Sequence, residues 1–145
     1  TEIEMKEKKD RVDDAVSATK AALEEGILPG GGVALYNAVS KLNGQVLRGK
    51  TKEIRAGARI LQMSLMEPMK TILLNAGVKV KKIEDQMVDS GRFTNGYDVK
   101  KGRFGNLYTI GIIDPLKVTK NALKNAVSVA TTILQTNCVI SNKRA

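Results

Sequence analysis

From Glu2 to Glu25 the apolar residues Met5, Val12, Ala15, Val16, Ala22 and Leu23 recur at helical spacing. Acid-before-base pairs four residues apart, Glu4 with Lys8 and Glu7 with Arg11, lie on the same stretch. The pattern predicts a long, largely exposed helix, with Gly26 placed to end it in the left-handed conformation and Pro29 to prevent its continuation. Gly30, Gly31 and Gly32 then lead into Val33, Ala34, Leu35, Ala38, Val39 and Leu42, which read as a short amphipathic helix closed by Asn43-Gly44. A polar loop through Arg48 and Lys52 follows.

A third helix begins near Lys52, with Ile54, Ala58, Leu61 and Leu65 on its apolar face. Pro68 is expected to stop it and to occupy the first turn of a further helix, Met69 to Asn75, which ends at Gly77. Another short helix is expected around Lys82 to Val88. The segments 93–98 and 106–110 have β-like composition interrupted by Gly and Lys, and read as an irregular hairpin. Asp114-Pro115 opens a last long helix with Leu123, Val127, Ala130, Ile133 and Leu134 among its apolar positions, and Cys138-Val139-Ile140 reads as a short edge strand. No internal repeat, low-complexity segment or interdomain linker interrupts this order.

Composition narrows the chemistry. The 145 residues are one domain's worth of chain, 42% apolar but only 3% aromatic with no Trp, so the core must be built from Ala, Leu, Ile, Val and Met, a palette suited to close helix packing. His is absent, which removes the commonest general base and zinc ligand, so catalysis would have to run on carboxylates, Lys or a bound metal. The single Cys138 cannot form an internal disulfide and sits in an apolar run, where a buried structural thiol and a reducing compartment are expected. No stretch approaches the roughly 20 apolar residues of a membrane helix, and the first residues are charged rather than signal-like, so no membrane partner is expected. The formal charge of +9 would suit a polyanion, yet Lys and Arg are dispersed along every segment, which argues against nucleic acid.

Three features could carry chemistry. The triple glycine between two helices could lie against a phosphate or sugar, or could simply make a tight connection; it lacks the Lys-Ser/Thr ending of a P-loop. Asp13 and Asp14, mid-helix, could orient a water or hold a metal-bound one, or face solvent. Asp114 before Pro115 is expected to cap the last helix, with a ribose contact as the alternative.

The run from Glu4 through Ala15, then Ala18-Thr19, Ala22, Glu24-Glu25-Gly26-Ile27 and Pro29-Gly30-Gly31-Gly32-Val33-Ala34-Leu35, resembles the signature of the group I (GroEL-type) chaperonins in order and spacing. The similarity resumes at Met66-Glu67-Pro68, Asn75-Ala76-Gly77, Gly96-Tyr97, Gly111-Ile112-Ile113-Asp114-Pro115 with Lys117-Val118-Thr119, and Thr136-Asn137-Cys138-Val139. The resemblance implies a mostly α fold with a small β-hairpin, in which residues 1–25 are a long intermediate-domain helix and 26–145 the C-terminal half of the helical equatorial domain. It implies an ATP-hydrolysing, ring-forming, heptameric chaperone of the bacterial cytoplasm, or alternatively of a mitochondrial matrix or plastid stroma. Clients and a co-chaperonin would bind through an apical domain that lies outside this sequence.

By the same resemblance, Asp14 positions the attacking water, Gly31 and Gly32 lie on the adenine and ribose side of the pocket, Ile112 packs near the base, and Asp114 contacts the ribose. Asp98 falls where the family usually has Asn beside the nucleotide, and Val99-Lys100 replace small residues. At the inter-ring face Lys70 keeps the usual basic character, whereas Val78-Lys79 stand in a usually acidic stretch. The phosphate loop and the residues that help to hold Mg2+ are missing. This chain alone is therefore expected not to turn over ATP and not to retain ATP or Mg2+, no metal ligand is assigned to it, and it is expected to self-associate as a piece of a longer chain. The competing reading is a stand-alone helical assembly protein derived from a chaperonin.

Overall fold

A computed structural model describes residues 1–42 and 48–141. Helices dominate it, in the order α1 (Glu2–Glu25), β1 (Ile27–Pro29), α2 (Val33–Ala38), a 3-10 turn (Val39–Leu42), α3 (Lys52–Asn75), α4 (Val80–Ser90), β2 (Asn95–Asp98), β3 (Arg103–Asn106), α5 (Leu107–Ile110), β4 (Ile113–Pro115) and α6 (Leu116–Leu134). The chain divides into two compact units, Thr1–Gly26 with Pro115–Ala145, and Ile27–Asp114.

The first unit is built by α1 and α6. Thr1 and Glu4 form a capping box that starts α1: the Thr1 hydroxyl accepts from the Glu4 amide at 3.3 Å and the Glu4 carboxylate holds the terminal ammonium at 2.6 Å. Glu4 is thereby directed to the terminus rather than to Lys8, whereas the expected Glu7–Arg11 pair forms at 2.5 Å. At its other end α1 meets α6 through Glu24–Lys117 and Glu25–Lys120, beside a Gly26 carbonyl that accepts from the Leu116 amide at 3.0 Å. Neither helix buries a residue, because α1 is polar over most of its circumference and the aliphatic positions of α6 from Val127 to Leu134 are exposed.

The second unit holds the core, in which Val33 from α2, Met69 and Leu73 from α3, Ile83 and Met87 from α4 and Leu107 from α5 form one cluster. The i, i+4 spacing of Met69 with Leu73 and of Ile83 with Met87 puts each pair on one helical face. β2 and β3 form an antiparallel hairpin with Asn95 opposite Asn106 and Asp98 opposite Arg103, and β1 pairs with β4.

Several expectations are corrected. Pro68 neither stops nor starts a helix: α3 runs unbroken from Lys52 to Asn75. Proline supplies no N–H to the preceding turn, at a cost of about 3 kcal/mol. On the other side, Leu65, Met69 and Leu73 form a stripe spanning the proline, each 4% exposed or less. Burying such side chains contributes about 2 kcal/mol apiece, so continuing the helix wins.

The second hairpin strand is Arg103–Asn106, and Leu107–Ile110 coils into α5 because the Asn106 side chain accepts from the Tyr108 amide at 3.0 Å and caps a helical turn. The helix expected from Val33 to Leu42 tightens into 3-10 geometry after Ala38, while Ile27–Pro29, after the end of α1, forms the short strand β1. Gly26 ends α1 at φ 90 and ψ −169, a positive φ but not the left-handed helical conformation.

Cys138 to Ile140 form no strand and Cys138 is exposed, so the buried-thiol reading fails; Val139 and Ile140 beside it are exposed as well. The expected Asn43-Gly44 helix end lies outside the described residues. Among the described residues, no helix is long and apolar enough to cross a membrane.

Candidate functional site

The second unit contains a cavity of about 320 Å³. Its floor is aliphatic, made by Met69, Ile72 and Leu73 of α3, Ile83 of α4 and Val33 at the start of α2. Ile110, Ile112, Tyr97, Gly31 and Val99 also line it, and Asp98, Lys100 and Lys101 are its charged residues. Residues 31, 98 and 112, far apart in sequence, thus line one space.

Local backbone geometry explains the convergence. The Gly30 amide donates to the Ile112 carbonyl at 3.0 Å, next to the β1–β4 pairing, and so puts Gly31 and Ile112 on one wall. Gly31 and Gly32 both take positive φ, 65 and 76, but they do different work. A Cβ on Gly31 would meet nothing within 4 Å, and the residue lines the cavity. On Gly32 it would sit 2.6 Å from the Met69 amide nitrogen and 3.1 Å from the Pro68 carbonyl carbon, so this glycine lets the α2 terminus lie against α3. Gly32 is absent from the cavity lining.

Asp98 is a charged residue only 4% exposed. One carboxylate oxygen, Oδ1, accepts from the Lys100 amide at 3.0 Å and the Lys101 amide at 3.1 Å, an Asx-type arrangement that sets the hairpin turn. Backbone donors compensate the burial of charge that would otherwise be costly.

Asp114 does not line the cavity and does not cap α6, whose N-cap is Pro115 with no side-chain bond to the helix. The carboxylate sits one residue ahead of the position from which it could reach the second or third helical amide. Half-buried and without a hydrogen-bond partner among the described residues, its carboxyl is pushed above the usual value by desolvation. Asp14 lies exposed on α1, in the other unit.

The structure therefore brings Gly31, Asp98 and Ile112 to one cavity and leaves Gly32, Asp114 and Asp14 outside its lining. Lys101, Tyr97, Ile110 and the α3 floor escaped the sequence reading. The i, i+4 series Leu65, Met69, Leu73, which continues across Pro68, was the signal for that floor, hidden by the assumption that the proline breaks the helix. Among the described residues, no group of three or more His, Cys, Asp or Glu is placed to hold a metal ion.

The sequence pattern of the TCP-1/cpn60 chaperonin family matches residues 1–144. The chain belongs to this family. A solved structure of a group III chaperonin in the open state is similar to it, with a TM-score of 0.71 and 28% identity over 83% of this chain. The chain spans 25% of that chaperonin's length. The mostly helical architecture with two small sheets is that of a chaperonin equatorial-domain fragment.

Proposed function

We propose that this chain is part of an ATP-dependent chaperonin of group I type that assists protein folding within a ring-shaped, heptameric oligomer. On this reading residues 1–25 belong to the intermediate domain and 26–145 to the C-terminal half of the equatorial domain. The chain supplies one side of the nucleotide pocket and ring contacts. Clients and co-chaperonin bind elsewhere, on an apical domain, and the complete protein works in a reducing interior such as the bacterial cytoplasm.

The single observation that carries the reading is the shared cavity of Gly31, Asp98 and Ile112, three residues that the chaperonin resemblance assigns to the nucleotide. An aliphatic floor suits the face of a base, the open Gly31 permits close approach of the ligand, and the hairpin turn held by Asp98 presents backbone and side-chain polar groups at the edge. Asp14, carried on α1, orients the attacking water when the assembled protein closes, and Asp114 accepts from a ribose hydroxyl. Gly32 contributes through the helix packing that holds Gly31 in place. ATP and Mg2+ belong to the complete protein. The isolated chain is proposed to bind nucleotide weakly and not to hydrolyse it, because the family's phosphate loop is not among its residues.

The test is a competition assay in which ADP displaces a fluorescent adenine nucleotide from the full chain, with phosphate release followed in parallel. We expect millimolar-range displacement that is lost in Ile112→Arg, which fills the cavity, together with no phosphate release above buffer. Displacement unchanged in a folded Ile112→Arg variant would remove the cavity from the account; steady hydrolysis by the chain alone would overturn the partial-site reading.

A further inference from the structure

Val33 of α2, Met69 of α3 and Ile83 of α4 bring three different helices to the cavity floor. Behind two of them stands a charged pair. Lys70, the residue after Met69, puts its Nζ 3.8 Å from Oε1 of Glu84, the residue after Ile83. At that distance the attraction is Coulombic rather than a hydrogen bond. Among the described residues of the second unit the other ion pair, Lys81–Asp85, stays within α4, whereas Lys70–Glu84 ties α3 to α4. Its side chains are 28% and 20% exposed, against 81% and 57% for Lys81 and Asp85, so water and salt screen it less. Glu84 is felt on α2 as well: burial, and after it the negative charge of Glu84, pushes the Tyr36 phenol above its usual range. Tyr36 lies one turn beyond Val33 and packs against the core cluster. Neither Lys70 nor Glu84 lines the cavity.

We infer that Glu84, paired with Lys70, is a positioning residue for this cavity, holding the turns of α3 and α4 that carry Met69 and Ile83 at the spacing which the base of a nucleotide requires. The inference rests on the nucleotide-pocket reading above, but it gives a role to two residues outside the lining on which that reading stands. Packing alone leaves the spacing soft, because α4 buries only Ile83 and Met87, and an unbranched methionine adapts to small shifts of its neighbours. The pair adds a restraint at the turn where the floor lies. Its attraction depends on opposite charge and not on which helix carries which sign, so it survives an exchange of the two residues. Acting on the floor, it governs the fit of the base, and the nucleotide and its uncharged nucleoside must feel its loss equally.

The experiment measures the affinities of the full chain for ADP and for adenosine by NMR titration. It compares the unmodified chain, Lys70→Gln/Glu84→Gln, the exchanged pair Lys70→Glu/Glu84→Lys, and a control, Lys81→Gln/Asp85→Asn, which removes the exposed pair of the same helix. The net charge of +9 is the same in every chain, so bulk attraction for an anion does not enter. We expect both ligands to bind about two- to fivefold more weakly to the glutamine variant, as the loss of one partly screened pair allows. The exchanged pair should recover most of that loss, and the control should match the unmodified chain. Unchanged affinities in the glutamine variant would overturn the role of the pair while leaving the nucleotide pocket standing. A loss that the exchanged pair does not recover would assign the effect to side-chain packing, and an equal loss in the control would assign it to the stability of α4; either overturns the inference. A chain that binds neither ligand would overturn both readings. Should the glutamine variant fail to fold, Glu84→Gln alone carries the same comparison, with uncharged adenosine as its readout.

Discussion

Gly32 stands so close to α3 that the missing Cβ would lie 2.6 Å from the amide nitrogen of Met69, the residue after the in-helix proline. Backbone cannot yield as a flexible side chain does, so Gly32→Ala combines an overpacked contact with a left-handed φ and should destabilise the chain by about 2–5 kcal/mol. Gly31→Ala, with the same φ requirement but open space beyond, should cost only about 1–2 kcal/mol. Urea unfolding followed by circular dichroism measures the difference. Equal costs at the two positions would show that the close approach to Met69 is not tight.

The hairpin turn depends on a carboxylate oxygen that serves two amides. Asp98→Ala should lose about 1–3 kcal/mol, because the Lys100 and Lys101 amides forfeit a charged acceptor. Asp98→Asn keeps an acceptor oxygen and should remain within about 1 kcal/mol of the unmodified chain. Hydrogen exchange at the two lysine amides provides a local readout, and slow exchange in the alanine variant would contradict the assigned bonds.

Asp114 predicts a pH dependence whose sign is fixed by desolvation. Burial raises its folded-state value above the ordinary 3.8, so the folded state holds the proton more tightly than the unfolded state does. This contribution is present in full below the unfolded value and is lost as pH rises through the folded one. Asp114→Asn removes the penalty, so the variant should gain thermal stability relative to the unmodified chain at pH 7 and lose that advantage near pH 3. A gain independent of pH would assign the effect to something other than ionisation.

The two ion pairs between α1 and α6, Glu24–Lys117 and Glu25–Lys120, are solvent-exposed and should each contribute little to stability. A double-mutant cycle on Glu25 and Lys120 should return a coupling of about 0.5 kcal/mol that fades in molar salt. A coupling that survives high salt would mean the pair is more protected from solvent than its exposure indicates.

Much of this fold was legible because its signals are local. Helical spacing marked α1, α4 and α6, and the Gly and Lys residues between β-like segments marked the hairpin. Pro68 misled because propensity was weighed without knowing that Leu65, Met69 and Leu73 would all be buried along one face. Cys138 misled because its apolar neighbours suggested cover that the chain does not supply.

The candidate site was legible in part for a related reason. Gly31, Asp98 and Ile112 could be named from the resemblance, but their meeting depends on the Gly30–Ile112 bond and on a hairpin packed against α4 and α5. Asp114 was read as a cap because Asp-Pro often starts helices; its actual position is fixed by where α6 takes its first turn, one residue later than the reading assumed.

The central claim is that one cavity receives a nucleotide through Gly31, Asp98 and Ile112. Amide chemical-shift mapping of the full chain during titration with ADP tests it most directly. The account predicts progressive, saturable shifts at Gly31, Asp98, Lys100, Lys101 and Ile112, with α1 and the exposed face of α6 unmoved. Shifts confined to exposed lysines elsewhere, or no shifts at millimolar ADP, would contradict it.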